Sequence, residues 1–276
     1  MHFNKFFKKQ FQNLKKEKIL FFLKILKILS KLIIWKPLIY FLAIIFSVIF
    51  YIPFSFYKFR LLEIDTSRIG HFAGSIESHI KIINEAVNSR QKLLVFRKKL
   101  ISNSFLLKAF EEYLRENYSN IKFIPGNSFW IAVANIFRVI FRKEIKIYRN
   151  WDKDYKEFYN EKKLFNLSAN YHLEGQKLLQ NLGLPKNSKI ICVHNRDSLY
   201  LKKHYKNIMD ASYHDYRDFS VKNMIPALDF FTKSGFYVVR FGSDNYEKLS
   251  DYTNNSMIID YVHHPLRSDF GDIYLN

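Results

Sequence analysis

The chain has 276 residues, enough for one large domain or two modest ones with real cores. With 48% hydrophobic residues, including 28 Phe and 18 Tyr, it is no disordered tail, and only eight Gly and six Pro exclude a collagen-like or linker-rich chain. The net charge of +19 invites a nucleic-acid partner, but the charge is uneven: residues 1–60 carry twelve Lys/Arg against one acid, Glu17, leaving +8 for the other 216. A basic excess beside a hydrophobic segment finds its counter-charge on an anionic membrane surface, so lipid is the expected partner and nucleic acid is not.

The elements follow in chain order. Lys15–Ser30 sets Lys18, Lys24 and Lys27 among Ile, Leu and Phe at three- and four-residue steps, which predicts a basic amphipathic helix. Pro37–Tyr57 carries no charge and is long enough to span a bilayer, yet Pro53 interrupts it. Lys31 and Lys36 precede it and Lys58 and Arg60 follow, so the positive-inside rule leaves spanning, re-entrant and in-plane arrangements open. A buried core helix is the plainest alternative.

From Leu61 short strands alternate with helices. Strands are predicted at 61–64, 92–97 and 121–124, with helices running to about Asn88, over 105–116 and over 129–142. Residues 145–166 read as a connector, and 168–182 as a helix stopped by Gly183 and Pro185. A second unit begins at the strand 189–193, continues through a helix over 221–234 and strands at 236–240 and 257–259, and ends soon after. The expected fold is α/β, with two Rossmann-like units, the second incomplete, preceded by N-terminal hydrophobic helices. The parts are a membrane-associating segment 1–60, a first domain 61–184 and a partial second domain 185–276. Cys192, the only cysteine, excludes an internal disulfide and a cysteine-based zinc site, and in the apolar run I-I-C-V it is expected to be a buried, inert thiol.

In open α/β sheets ligands bind beyond the carboxyl ends of the strands, at a switch point, so polar residues just after strands weigh most. The first such place is His194-Asn195-Arg196-Asp197-Ser198. Arg offers a planar donor fork for phosphate or carboxylate, His an acid or base near neutral pH, and Asp197 a group to orient either one or to bind a sugar hydroxyl. The alternative is a surface turn with an internal Arg–Asp pair. The second is Arg68-Ile69-Gly70-His71, opening a helix, where Gly70 allows close backbone approach and the helix start favours an anion. The third is Arg240-Phe241-Gly242-Ser243-Asp244 with the terminal stretch Asp260-Tyr261 and Arg267-Ser268-Asp269-Phe270-Gly271-Asp272. Asp152-Lys153-Asp154 has the D-x-D form of a metal-binding transferase motif but is expected to be a solvated turn. His263-His264 lacks a third ligand. No metal site is predicted.

Four blocks in order carry a resemblance over about Leu61 to the end: V-H-N-R-D-S-L-Y-L, Y-R-D-F-S-V-K-N-M-I-P-A-L, G-F-Y-V-V-R-F-G and I-D-Y-V-H-H-P-L-R-S-D-F-G-D-I-Y-L. Together with S-R-I-G-H-F and E-G-Q-K-L-L-Q-N-L-G-L upstream, they resemble a bacterial family of glycosyltransferases associated with surface-polysaccharide gene clusters. The resemblance implies a GT-B-type fold distantly similar to that of the O-fucosyltransferases, and a metal-independent transfer of sugar from a nucleotide-sugar to a glycan or lipid-linked acceptor. No cofactor is implied beyond the nucleotide-sugar substrate, and the place of work is the cytoplasmic side of the bacterial inner membrane. It also implies that Arg196 contacts the phosphates with His194 beside it, that Ser198, Arg240, Gly242, Arg267, Ser268 and Asp269 belong to the donor side, and that Arg68 and Gly70 belong to an acceptor loop facing it. The base is His71, with Asp197 as runner-up. Family members continue further, so this chain reads as truncated, and an inactive or accessory membrane protein is the alternative reading.

Overall fold

A computed structural model describes residues 34–97, 100–124, 126–141, 163–199, 202–203, 212–242 and 245–275. The helix expected over Lys15–Ser30, the Asp152-Lys153-Asp154 triplet and Ser243-Asp244 lie outside them. The chain is mixed α/β with two three-stranded parallel sheets, ordered β1-β2-β3 and β4-β5-β6. It divides into two compact units, Met1–Ser102 with Tyr113–Leu164, and Asn103–Glu112 with Phe165–Asn276.

In the first unit the sheet is β1 (Phe59–Ile64), β2 (Lys92–Arg97) and β3 (Ile121–Ile124). Successive side chains point to opposite faces of a strand, and both faces here are apolar, as parallel sheets require. Leu61, Leu94, Phe96 and Ile124 share one core with α1 (Lys36–Phe56) and α5 (Ser128–Val139). The alternate residues Leu62, Ile64, Leu93 and Val95 are buried too, on the face where α3 (Ile76–Asn88) packs against β2. The α3 stripe Ile76, Ile80 and Ile83 recurs at three- and four-residue steps and is almost wholly buried. A short helix, α2 (Ile69–Ala73), connects β1 to α3. Helix α4 (Ser104–Asn117) has its first residues in the second unit and its last in the first. Asn127 caps α5 by accepting a hydrogen bond from the Trp130 amide at 3.0 Å.

The second unit's sheet is β4 (Ile190–His194), β5 (Tyr237–Phe241) and β6 (Ile258–Asp260), flanked by α6 (Ala169–Asn181), α7 (Ile225–Lys233) and α8 (Asp269–Tyr274). One face carries Val239, Phe241 and Tyr261 against Leu178, Leu179 and Leu182. The other carries Val238 against Val221, Leu228 and Leu249. The sequence boundary at 184 assigns α6 to the first domain, but its leucines bury against the second sheet and it belongs there. Likewise α1 is part of the first unit and not a separate segment. The single helix expected over 221–234 is a 3-10 turn, Val221–Met224, followed by α7, because Pro226 lacks an amide hydrogen and fits only a helix's first turn.

Neither strand order reverses among the described residues. The switch-point crevice expected from the sequence is therefore not formed by these strands, and the polar loops stand at the carboxyl edges of two plain three-stranded sheets. Cys192 departs from expectation as well. It sits on the edge strand β4 and is exposed, with its thiol 3.1 Å from the Leu275 carbonyl oxygen, because α6 covers the centre of that face and leaves its margin open. Desolvation by its surroundings raises the thiol pKa above the ordinary range, so it stays protonated.

Candidate functional site

At the carboxyl edge of the second sheet the polar turn after β4 is held from beneath. Asn195 is 1% exposed. Its side-chain oxygen accepts a bond from Arg240 Nε at 2.8 Å and its Nδ2 donates to the Phe219 carbonyl at 3.3 Å. Arg240 is fully buried. Its Nη1 donates to the Glu247 carbonyl at 2.9 Å and pairs with Asp260 at 3.2 Å, while Nη2 has no partner among the described residues. Asp260 also accepts from the Leu249 amide at 2.9 Å and lies 3.0 Å from His263 Nδ1, whose other ring nitrogen is 3.1 Å from the Asn245 carbonyl oxygen. One guanidinium thus ties together the ends of β4, β5 and β6.

Arg240, expected from the sequence on the donor side, is wholly buried and bonded within the protein through Nε and Nη1 to an amide, a carbonyl and a carboxylate, and these bonds fix the loop above it. Nothing marked Asn195 as its partner except its place beside Arg196, whereas Asp260 stands in the same sequence group as Arg240 and His263 stands out only beside His264 as an incomplete metal pair.

Asp197 is committed to the same purpose. One carboxylate oxygen accepts from the Leu199 amide at 2.9 Å and the other from the Tyr246 amide at 2.8 Å, bracing the β4 loop to the β5 loop. It is a brace and not the base considered from the sequence. Gly242 keeps its special place: a Cβ there would collide with the Asn245 side chain, so only glycine lets that loop close.

The terminal block is also structural. Arg267 donates from Nε to the Gly242 carbonyl at 3.1 Å and from Nη2 to Asp272 at 2.6 Å. Ser268 caps α8 by accepting from the Gly271 amide at 3.1 Å. Asp269 accepts from the Ser104 amide at 2.6 Å and hydroxyl at 2.5 Å, while its carbonyl accepts from Asn103 Nδ2 at 2.8 Å. These bonds of Arg267, Ser268 and Asp269, expected from the sequence on the donor side, pin α8 to the β5 loop and to the start of α4.

Burial raises the Asp272 pKa to about 6, against the opposing pull of Arg267. An acid whose folded pKa lies above its unfolded value favours folding when protonated. Its contribution is complete below about pH 4 and is lost as pH rises through about 6. Asp272→Asn is therefore expected to flatten the fall in stability between these pH values, read as urea midpoints at pH 4, 5, 6 and 7.

What the fixed loop displays is His194, Arg196 and Ser198. Arg196 lies 3.5 Å from Asp218 through Nε, a charge pairing too long for a hydrogen bond, and its two Nη groups bond to none of the described residues. Its carbonyl accepts from the Phe219 amide at 3.1 Å, which anchors the backbone while the fork stays available. The His194 pKa is lowered first by desolvation and then by the positive charges of Arg240 and Arg196, so the ring is mainly neutral at pH 7. Ser198 opens a helical turn by accepting from the Lys202 amide at 3.0 Å. The alternative of an internal Arg196–Asp197 pair does not form, since Asp197 faces backbone amides.

In the first unit, His71 sits on α2 at the carboxyl edge of its own sheet, with Nδ1 3.5 Å from Asp65. Asp65 is itself held by the Ser67 amide at 3.1 Å and hydroxyl at 2.6 Å. The sequence turn D-T-S-R-I-G-H contained this carboxylate without marking it. Arg68 occupies the N-cap position of α2, and its carbonyl accepts from the Phe72 amide at 2.9 Å. A Cβ added at Gly70 meets no described protein atom, so the packing of the protein itself does not demand glycine there. No group of three or more His, Cys, Asp or Glu among the described residues is placed to hold a metal ion. No family model, curated protein or solved structure matches this chain.

Proposed function

We propose that this protein is a glycosyltransferase of the GT-B kind, built from two Rossmann-like units, that moves a sugar from a nucleotide-sugar to a glycan or lipid-linked acceptor. It would work at the cytoplasmic face of a bacterial inner membrane, where nucleotide-sugars are made. The observation that carries this reading is the β4 loop: a basic fork with open Nη donors, a neutral imidazole and a hydroxyl, mounted on a backbone that Asn195 and Arg240 hold from below. Leaving diphosphate needs charge stabilisation by donors that do not reorganise, and a braced arginine supplies it without a metal.

In this reading Arg196 and His194 serve the diphosphate and Ser198 the sugar or phosphate oxygens. His71 removes the acceptor proton, oriented by Asp65 as carboxylates commonly orient catalytic imidazoles. The resemblance carried by the four ordered sequence blocks, from which these residue roles are taken, points to the same reading.

The direct test offers the full chain a panel of nucleotide-sugars and follows thermal unfolding together with transfer of labelled sugar into lipid and glycan fractions. One nucleotide class is expected to raise the unfolding temperature and to support transfer. A panel without any shift or product would sink the proposal. Asp65→Asn is expected to lower the transfer rate about tenfold or more with donor binding unchanged, as loss of an orienting carboxylate does.

A further inference from the structure

Helix α1 is apolar almost throughout, yet only 17% of its most apolar 18-residue window is buried. Its buried side is a narrow stripe, Ile39, Ala43, Phe46, Ser47 and Phe54, which shares a core with α5 and the first sheet. The two helices run in the same direction: Phe46 meets Phe129 and Trp130 near the start of α5, and Phe54 and Tyr51 meet Phe137 and Phe141 towards and just past its end. The opposite side presents Leu38, Phe41, Ile45, Val48, Ile52 and Phe56, with Ile52 74% and Phe56 77% exposed.

A bilayer crossing needs about 30 Å of apolar helix. Among the described residues of α1, those before Phe46, about 15 Å at 1.5 Å each, extend beyond the start of α5. Sinking the rest would drag α5 and β1 into hydrocarbon, including Arg138, which pairs with Glu63 at 3.6 Å and donates to Asn135. Cations stand at both ends, Lys36 at the helix's first position, Lys58 and Arg60 after it, and residues 1–36 hold ten Lys against Glu17. With both ends on one side, the positive-inside rule is satisfied at each.

We infer that α1 is a one-leaflet mount: it lies in the plane of an anionic bilayer with the Phe41–Ile45–Ile52 side among the acyl chains and both ends at the same membrane surface. The surface fits lipid because it is apolar along its whole length and bounded by cations, the pattern of an interfacial helix whose polar face is replaced by the folded unit. This mount is independent of the proposed transferase activity.

The test uses the full chain with Cys192→Ser, expressed in a bacterial host, and inverted membrane vesicles that expose the cytoplasmic face. Lys36→Cys and Lys58→Cys are each expected to react with a membrane-impermeant maleimide as fully before detergent as after. Labelling of either one only after detergent means a crossing and overturns the inference. A second variant, Phe41→Ser/Ile45→Ser/Ile52→Ser, is expected to bind phosphatidylglycerol vesicles about a hundredfold less in flotation while unfolding at an unchanged temperature. Undiminished binding overturns the inference. So does a chain that ignores the vesicles and forms a dimer that the triple variant dissociates, which assigns the face to a second copy.

Discussion

Arg240→Met is expected to destabilise the second unit by about 3–5 kcal/mol, the cost of removing one partner from a buried ion pair. The methionine fills most of the volume but leaves Asp260 without its cation, and Asn195 Oδ1 and the Glu247 carbonyl without a donor. Arg240→Lys is expected to recover only part of this loss, since an ammonium on a flexible stem does not make the forked set of bonds that joins Asn195, Glu247 and Asp260. Urea unfolding of the full chain is the measurement, with tryptophan fluorescence and circular dichroism followed together. A midpoint within error of the wild type for Arg240→Met would show that the three strand ends hold without the guanidinium. Nucleotide-sugar affinity is expected to fall in parallel, because the loop carrying Arg196 rests on Asn195 and Asn195 rests on Arg240.

Two strand-end arginines, alike in type but opposite in duty, explain how the sheet's carboxyl edge is built. Arg240 stands on the central strand β5, where both faces are covered, and its Nε and Nη1 are held by protein groups. Arg196 stands past the end of the edge strand β4, where one flank is open, and it keeps its Nη donors. The position in the sheet, and not the residue type, decides which one is available to a ligand.

That difference also marks what the sequence could reveal. The strands were legible because each is a short apolar run ended by a polar turn, and parallel pairing leaves both faces apolar: K-L-L-V-F-R and F-Y-V-V-R say as much on sight. Arg240 looked like Arg196 in one dimension, each a strand-end arginine followed by polar residues. Only pairing in space shows that Arg240 has Asp260 beside it across β6. The R-S-D-F-G-D block misled for a related reason. Polar residues crowded near a chain's last helix read as a ligand loop, but Ser268 is a helix cap and Asp269 holds the start of α4, a partner 165 positions away. Asp65 was missed because carboxylates in turns are commonplace, and its distance from His71 depends on how α2 opens. Cys192 was misplaced because an apolar neighbourhood in sequence does not tell an edge strand from a central one.

Arg196→Ala is expected to weaken nucleotide-sugar binding about ten- to a hundredfold, or 1.5–3 kcal/mol, as loss of charge-assisted hydrogen bonds does, and to leave the urea midpoint nearly unchanged. The stability half of this expectation follows from the contacts: among the described residues the side chain's one pairing is the 3.5 Å approach to Asp218, a partly exposed pair too long for a hydrogen bond, and such pairs contribute little. The binding half separates the reading from its rivals. Arg196→Lys keeps the charge but loses the fork, so if the phosphates are held bidentately it recovers only a fraction of the affinity, whereas a merely electrostatic attraction would be restored in full. Raising salt from 0.05 to 0.5 M should weaken the wild type more than Arg196→Ala, because the screened interaction is already absent in the variant. An Arg196→Ala protein that binds nucleotide-sugar as tightly as the wild type would move the donor site off this loop and leave Asn195, Asp197 and Arg240 as braces for a turn with another purpose.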